Sequence, residues 1–210
     1  MGDPRIDDRL AGGDLAVDVG CGGGEWADAA KDRFDRVIGI DISLDRLERR
    51  ARPIEGWEFV QADLNKGIPL PDACADCVHG DQVIEHVANP LYFVIEAHRV
   101  LRPGGVLVLA TPNVRYIRHL IRLVVGGHGP LTSAAALRTP EVWDEGHSHF
   151  LTSRDLEWLA RTAGFSSIRT EALIDPSGSM RPARRLLNRA RARGLVKAFL
   201  SGNLMLAATK

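Results

Sequence analysis

The chain has 210 residues, of which 45% are hydrophobic, and its 27 basic and 27 acidic side chains give a formal net charge of zero. This length fits one domain with a sizeable core, and the charge balance argues against a protein that binds nucleic acid in bulk. The polar start at Met1–Arg9, the absence of a long apolar run and the odd number of cysteines lead us to expect a soluble, cytoplasmic protein without a transmembrane segment.

Short apolar runs alternate with helical patterns along the chain, which is typical of βαβ units around a parallel sheet. The runs predict about seven strands, at Leu15–Val19, Val37–Asp41, Trp57–Gln61, Cys74–His79, Val106–Ala110, Phe165–Leu173 and Asn203–Ala208. The helical patterns fall at Glu25–Arg33, Leu44–Ala51, Pro90–Val100, Val114–Val125, Asp155–Ala163 and a basic segment at 181–199. We therefore expect a single α/β domain over 1–210, with a short N-terminal extension at 1–14.

A glycine-rich loop follows the first predicted strand, with the sequence Asp18-Val-Gly20-Cys21-Gly22-Gly-Gly24. Glycine lets the backbone come close to a ligand, and the start of the next helix offers unpaired N–H groups. Because any sharp turn from strand to helix also uses glycine, the loop alone favours a ligand site only modestly.

Acidic residues follow the next two strands. Asp41 ends the second strand, 17 residues after Gly24, where a carboxylate can accept hydrogen bonds from both hydroxyls of a ribose. Asp63 lies just after the third strand, and by itself would be interpreted as a turn or cap residue. Ligands of open α/β sheets bind at the carboxyl edge of the strands, so these features at successive strand ends together predict a ligand site there.

Five segments of the sequence carry a family resemblance. They are Asp18-x-Gly20-x-Gly22-x-Gly24 and the stretches at 37–41, 75–87, 99–113 and 149–165. The chain resembles a class I S-adenosylmethionine-dependent methyltransferase of the type 11 family. The resemblance implies a Rossmann-like, doubly wound sheet with helices on both faces, mostly parallel with an antiparallel last strand.

The resemblance also implies the cofactor, S-adenosyl-L-methionine, which leaves as S-adenosyl-L-homocysteine. Asp41 is then the ribose ligand and Asp63 accepts from the adenine amine. The full set of cofactor-binding residues that it implies is Asp18, Gly20, Cys21, Gly22, Gly24, Asp41, Ile42, Ala62, Asp63, Leu64, Gly80 and Asp81.

A nicotinamide dehydrogenase is the structural alternative. The run Gly22-Gly-Gly-Glu-Trp-Ala27 fits the G-x-G-x-x-A pattern of that class, and Asp41 also suits its ribose. However, Asp18 before the glycines, Asp63 after the third strand and the Pro-Gly-Gly turn at 103–105 follow the methyltransferase pattern.

Methyl transfer requires an acceptor held in line with the donor, and a hydroxyl acceptor also benefits from a general base. His147 and His149 are candidates because the pKa of histidine lies near neutrality. Asp81, after the fourth strand, is another candidate. The alternative for either histidine is a hydrogen bond that anchors the loop.

We expect no metal site from the sequence. The pair His147-x-His149 lies near Asp144 and Glu145, but it has no compelling fourth ligand. Glu85-His86 resembles a common family pair that we interpret as structural. The Cys74-x-x-Cys77 spacing lacks the second pair of a zinc site.

The acceptor is predicted from what surrounds the sheet. Residues 1–100 carry a net charge of −9 and residues 101–210 a net charge of +9, and no acidic residue occurs from Pro176 onward. We expect residues 114–149 and 176–202 to cover the acceptor. The basic residues there are interpreted as a solvated helix face or as a rim for an anionic acceptor, and peripheral membrane contact through 181–200 is a further interpretation.

The predicted function is O-methylation of a small molecule or sugar. The sequence Gly80-Asp-Gln-Val83 replaces the Asn- or Asp-Pro-Pro-aromatic tetrad of the adenine and RNA N-methyltransferases, which disfavours base N-methylation. A methyltransferase that acts on RNA or protein, and a binding module that retains the cofactor without catalysis, are the alternatives.

Overall fold

The computed structural model describes residues 12–43, 56–127, 129, 132, 146–173 and 199–210. Some of the predicted features lie outside these described residues. They are the helix Leu44–Ala51, residues 128, 130, 131 and 133–145 of the covering segment 114–149, including Asp144 and Glu145, residues 176–198 of the covering segment 176–202, and with them nearly all of the basic segment at 181–200.

Seven strands occur in the described residues: β1 (Gly13–Val19), β2 (Phe34–Asp41), β3 (Trp57–Gln61), β4 (Ala75–Asp81), β5 (Leu101–Pro112), β6 (Ser166–Leu173) and β7 (Asn203–Thr209). They form one sheet in the order β3-β2-β1-β4-β5-β7-β6. The neighbours from β3 to β5 pair in parallel, whereas β7 runs antiparallel to both β5 and β6. The predicted sheet, mostly parallel with an antiparallel last strand, is confirmed.

Four α-helices are described: α1 (Glu25–Ala30), α2 (Pro90–Val100), α3 (Ile117–Val124) and α4 (Ser153–Thr162). Local side chains determine where two of them begin. The Asn89 side chain accepts a hydrogen bond from the Tyr92 N–H at the start of α2. Thr152 and Asp155 form a reciprocal capping box at the start of α4. Within the described ranges, no helix is long and apolar enough to cross a membrane.

The helices cover both faces of the sheet, because successive strand residues point to opposite sides. One core cluster packs α2 and α4 against the strands, and its members include Val17, Val19, Val78, Leu107, Leu109, Phe93, Val94, Leu156 and Leu159. The other cluster packs α1 against the intervening strand residues, and its members include Ala16, Cys77, Val108, Met205, Trp26, Ala27 and Ala30. The predicted doubly wound arrangement, with helices on both faces, is confirmed.

Several boundaries differ from the predictions by a few residues, and two of these differences have identifiable reasons. Strand β5 begins at Leu101 rather than Val106, because Leu101 already pairs with Ala75 before a register shift in the β4–β5 ladder. Helix α3 begins at Ile117 rather than Val114, because Asn113 first forms a turn. Its Oδ1 accepts from the Arg115 N–H, and its carbonyl oxygen accepts from the Tyr116 N–H.

The order of the strands distinguishes one position in the sheet, between β1 and β4. The chain moves outward from β1 through β2 to β3, then returns to the other side of β1 at β4. Between β1 and β4 the direction of strand progression therefore reverses, and open α/β sheets bind ligands at the carboxyl ends of strands beside such a reversal.

Candidate active site

The glycine loop lies at the carboxyl end of β1, beside the reversal. Gly20 has φ +67°, and a Cβ at this position would collide with the side chain of Val83, which follows β4. The Gly20 N–H donates to the Ile40 carbonyl oxygen at 2.7 Å, so the loop is held against β2. The Cys21 side chain is buried and faces the interior. The loop thus exposes backbone rather than side chains at this edge.

Asp41 joins the end of β2 to that loop. Its Oδ2 accepts from the Gly22 N–H and its Oδ1 accepts from the Ser43 N–H, each at 2.9 Å. The side chain is buried, with 8% of its surface exposed. Each carboxylate oxygen can accept a second hydrogen bond, so both remain able to bind a hydroxyl from the solvent side.

Apolar side chains lie next to Asp41 at the ends of β2 and β3. Ile42 has 65% of its surface exposed, although it directly follows the buried Asp41 at the end of β2. Ala62 and Leu64 are half-buried, and the Ala62 N–H donates to the Asp41 carbonyl oxygen at 3.0 Å. Asp63 Oδ1 accepts from the Asn65 N–H at 3.0 Å and caps a single 3-10 turn. The cofactor-binding residues predicted from these two strand ends therefore lie at one edge.

Asp18 lies in β1, two residues before Gly20, and its side chain is buried. Its carboxylate is 2% exposed and forms a hydrogen bond of 2.8 Å with His79 Nδ1. Burial raises the pKa of Asp18, and the contact with His79 opposes that shift. The indole ring of Trp26 stacks on His79 with the ring centroids 4.3 Å apart. The Asp18 side chain therefore joins the end of β1 to β4 through His79, a partner that was not predicted from the sequence.

The chain after β4 contains two buried polar atoms without a hydrogen-bond partner among the described residues: Gln82 Nε2 and Glu85 Oε1. Gln82 has φ +56°, a left-handed conformation, and its N–H donates to the Ala110 carbonyl oxygen at 2.9 Å. Gly80 and Asp81 end β4 directly before it, and Asp81 is half-buried. Gly80 and Asp81, which were predicted to bind the cofactor, therefore lie close in the chain to two buried polar atoms that have no hydrogen-bond partner among the described residues.

Glu85 is 1% exposed and is the most deeply buried acid of this edge. Thr111 Oγ1 donates to Glu85 Oε2 at 2.9 Å, from the carboxyl end of β5. Burial raises the pKa of Glu85 to about 7, against the smaller opposing effect of hydrogen bonds to its backbone and from Thr111. The resemblance of Glu85-His86 to a common family pair predicts a structural role, and nothing along the chain indicates that Thr111 would be the partner of Glu85.

The predicted histidines lie on a segment that is hydrogen-bonded to Glu85. The Ser148 N–H, the Ser148 hydroxyl and the His149 N–H donate to the Glu85 carbonyl oxygen at 3.0, 3.0 and 3.2 Å. His147 is buried, with Nδ1 2.8 Å from Thr132 Oγ1, and its ring centroid lies 4.8 Å from that of His86. His149 is half-buried. The structure thus brings both histidines to Glu85.

A family model and curated relatives identify the class of protein to which this chain is similar. A family model described as "Methyltransferase domain" matches residues 8–170. A Mycolicibacterium smegmatis protein named "Probable S-adenosylmethionine-dependent methyltransferase" is 36% identical over 166 residues, which are 77% of this chain and 55% of that protein. The 27-O-demethylrifamycin SV methyltransferase of Amycolatopsis mediterranei is 37% identical over 118 residues, which are 50% of this chain and 43% of that protein.

The fold is also similar to that of solved structures. The crystal structure of an S-adenosylmethionine-dependent methyltransferase from Mesorhizobium loti matches with a TM-score of 0.67 and 20% identity, over 98% of this chain and 94% of that chain. The present chain spans about half the length of the curated relatives quoted above, 55% and 43%.

Proposed function

This chain belongs to the methyltransferase-domain family, and from that premise we propose that it transfers a methyl group from S-adenosyl-L-methionine to a hydroxyl group of a small molecule or sugar. The observation that carries the donor half of the proposal is the exposed Ile42, which follows the buried carboxylate of Asp41. An apolar side chain with 65% exposure, directly beside a polar anchor, suits a ligand with a flat ring and a sugar.

The residues of this edge fit such a donor. The Asp41 carboxylate accepts hydrogen bonds from the Gly22 and Ser43 N–H groups. Each of its two oxygens retains a lone pair that can accept from a ribose hydroxyl. Ile42 and Leu64 supply apolar surface for an adenine ring. Asp63 uses Oδ1 to cap a turn, which leaves Oδ2 to accept from an exocyclic amine. S-adenosyl-L-methionine supplies a methyl group that is activated by its attachment to a sulfonium.

The glycine loop and the chain after β4 perform the remaining positioning. The Gly20 backbone lies directly against the Val83 side chain, where no side chain at position 20 would fit. Gln82 Nε2 is buried beside this junction and offers an amide donor. Backbone and buried groups would align a methyl donor and an acceptor at this junction. Because these groups are already in place, little reorganisation is needed, and this lowers the barrier to methyl transfer.

The acceptor half of the proposal is supported by a relative. The Amycolatopsis mediterranei protein is named for O-methylation of a small molecule, and 50% of this chain matches it. An anionic acceptor is supported by cations near α3. Arg115 lies two residues before this helix, 4.5 Å from the centre of the Phe199 ring, and Arg118 and Arg122 lie on the helix itself.

The general base remains a prediction with three candidates, His149, His147 and Asp81. His149→Ala tests the first of them, since the ring is only half-buried and its removal leaves the backbone hydrogen bond from the His149 N–H to Glu85 in place. If His149 removes the acceptor proton, turnover falls about 100-fold or more while affinity for the cofactor is unchanged. Unchanged turnover would exclude His149 from this role.

The function as a whole is tested by titrating the full chain with S-adenosyl-L-methionine and with S-adenosyl-L-homocysteine, followed by turnover on a panel of hydroxylated acceptors. Binding of both compounds together with O-methylated product is the expected result. Absence of binding to either compound would refute the proposal. Binding without product on any acceptor would favour a non-catalytic module, and product only on RNA or protein would correct the acceptor class.

A further inference from the structure

Three metal-ligating side chains meet where the chain after β4 contacts the segment before α4. One carboxylate oxygen of Glu85 and one ring nitrogen each of His86 and His147 all lie within 4.8 Å of one another. We propose that these three residues bind a divalent first-row transition cation, and that the cation holds the acceptor hydroxyl at the methyl donor. The second part of this inference rests on the proposed function.

The cluster is built by specific backbone contacts. Glu85 and His86 are consecutive, whereas His147 lies about 60 residues later in the chain. The Ser148 N–H and the His149 N–H both donate to the Glu85 carbonyl oxygen, and the Ser148 hydroxyl adds a third hydrogen bond. The segment that carries His147 is therefore attached to the residue that carries the carboxylate.

The two oxygens of the Glu85 carboxylate differ in their hydrogen bonds. Oε2 accepts from Thr111 Oγ1 at 2.9 Å, whereas Oε1 is buried and has no hydrogen-bond partner among the described residues. Only 1% of the Glu85 surface is exposed. A buried carboxylate is costly unless a cation or further donors compensate it, and a bound metal ion supplies that compensation.

The two imidazole rings are oriented as ligands usually are. His86 Nδ1 lies 3.2 Å from the Gly146 carbonyl oxygen, which can only accept, so Nδ1 carries the hydrogen and Nε2 carries the lone pair. His147 Nδ1 forms a hydrogen bond of 2.8 Å with Thr132 Oγ1. Metal-binding histidines commonly use one ring nitrogen for such a contact and the other for the metal.

The separation of the ligand atoms requires only a small adjustment. Ligands that bind one cation at about 2.0–2.2 Å lie roughly 3–4 Å apart, so atoms within 4.8 Å must approach by about 1 Å. His86 is exposed and can rotate to close that gap. Glu85 and His147 are buried and supply the fixed part of the site.

The types of ligand atom indicate which cations the site would bind and how a bound cation would act on the acceptor hydroxyl. One carboxylate and two imidazoles suit Mn²⁺, Co²⁺, Fe²⁺ or Zn²⁺, and three protein ligands leave positions open for an oxygen of the acceptor. A coordinated hydroxyl is fixed in place and is more easily deprotonated. Its oxygen forms the new bond to carbon as the bond from sulfur to that methyl breaks, the electron pair stays on sulfur, and the hydroxyl proton passes to His149 or Asp81, the two candidate bases that are not ligands of the cation.

Cobalt provides the test for the cation site. The full chain is treated with a chelator and titrated with Co²⁺, and binding is followed by calorimetry and by the visible absorption of the bound ion. We expect one tight site in the unaltered chain, and an affinity lower by about 100-fold or more in Glu85→Gln and His86→Ala. His86→Ala removes an exposed side chain and should not disturb folding. His98→Gln is the matched control, since His98 packs against Phe165 outside the cluster.

The outcomes separate the cation site from the proposed function. No Co²⁺ binding, or equal binding by both variants and the unaltered chain, would overturn the site. S-adenosyl-L-homocysteine is titrated into the same samples: if it fails to bind while Co²⁺ binds through Glu85 and His86, the proposed function fails and the site stands. If Co²⁺ binds but the chelator leaves turnover unchanged, the role in holding the acceptor is refuted.

Discussion

Ile42 gives the most direct test of where the cofactor lies. Its side chain is 65% exposed at the end of β2, next to Asp41. The substitution Ile42→Ala therefore removes mainly exposed surface that a bound cofactor would cover, and it should leave the thermal unfolding temperature of the free chain nearly unchanged.

The size of the effect follows from the exposed area. Full burial of an isoleucine side chain is worth about 1.5–3 kcal/mol. Because about two thirds of the surface is exposed, a ligand that covers most of it gains about 1–2 kcal/mol, and truncation to alanine forfeits most of that gain. The expected loss of affinity for S-adenosyl-L-homocysteine is about 5- to 20-fold in Kd.

Isothermal titration calorimetry measures this loss, with Ile95→Ala as the matched control. Ile95 is also an exposed isoleucine, 43% exposed on α2, and its truncation should change Kd by no more than about twofold. Ile42→Leu keeps the apolar area and should bind nearly as tightly as the unaltered chain. If Ile42→Ala binds as well as Ile95→Ala, the adenine ring does not rest on Ile42 and the donor site is assigned to the wrong surface.

Three other substitutions address the support of the loop, the stability of α2 and catalysis. His79→Phe keeps the stack on Trp26 but leaves the buried Asp18 carboxylate without its partner, so the free energy of unfolding in urea should fall by about 3–5 kcal/mol; an unchanged value would contradict this account. Hydrogen bonds from Arg99 hold the pKa of Glu96 below its usual 4.5, so Glu96 adds stability above that pH and loses it as the pH falls further. Glu96→Gln should therefore lower the free energy of unfolding by about 1–2 kcal/mol at neutral pH and by progressively less as the pH falls below 4.5, and a loss that does not change over this pH range would refute the charge-based explanation. Asp81→Asn should reduce turnover by about 100-fold or more with cofactor affinity retained if Asp81 is the base, and undiminished turnover would exclude it.

The strands and helices were predictable because each is determined by nearby residues. β3 spans Trp57–Gln61 and α2 spans Pro90–Val100, as predicted, since the first is a short apolar run and the second begins with Asn89 as cap and Pro90 in the first turn. The boundary of β5 was missed by five residues because its first part pairs across a register shift with β4. Such pairing depends on a distant strand and leaves no local pattern.

The contacts that support the site were not predictable for the same reason. His79 and Asp18 are 61 residues apart, and they meet only because β4 lies next to β1 in the sheet. The sequence shows that both residues follow apolar runs, but the neighbour relation that pairs them is a property of strand order. His147 was likewise grouped with acids close to it in the chain, whereas the structure places it against Glu85 and His86.

The proposed site has two parts, one for the methyl donor and one for the acceptor, and they differ in whether neighbouring residues in the sequence determine their position. The proposed donor half consists of residues that each end a strand or begin the next turn, such as Gly20, Asp41 and Asp63, so their position is determined locally and the sequence pattern is enough to predict it. The acceptor half depends on the return of residues 147–149 to the Glu85 carbonyl oxygen. A substitution that weakens this return, such as one at Ser148, should disturb the acceptor site while the donor site remains intact, because no described hydrogen bond of the glycine loop involves that segment.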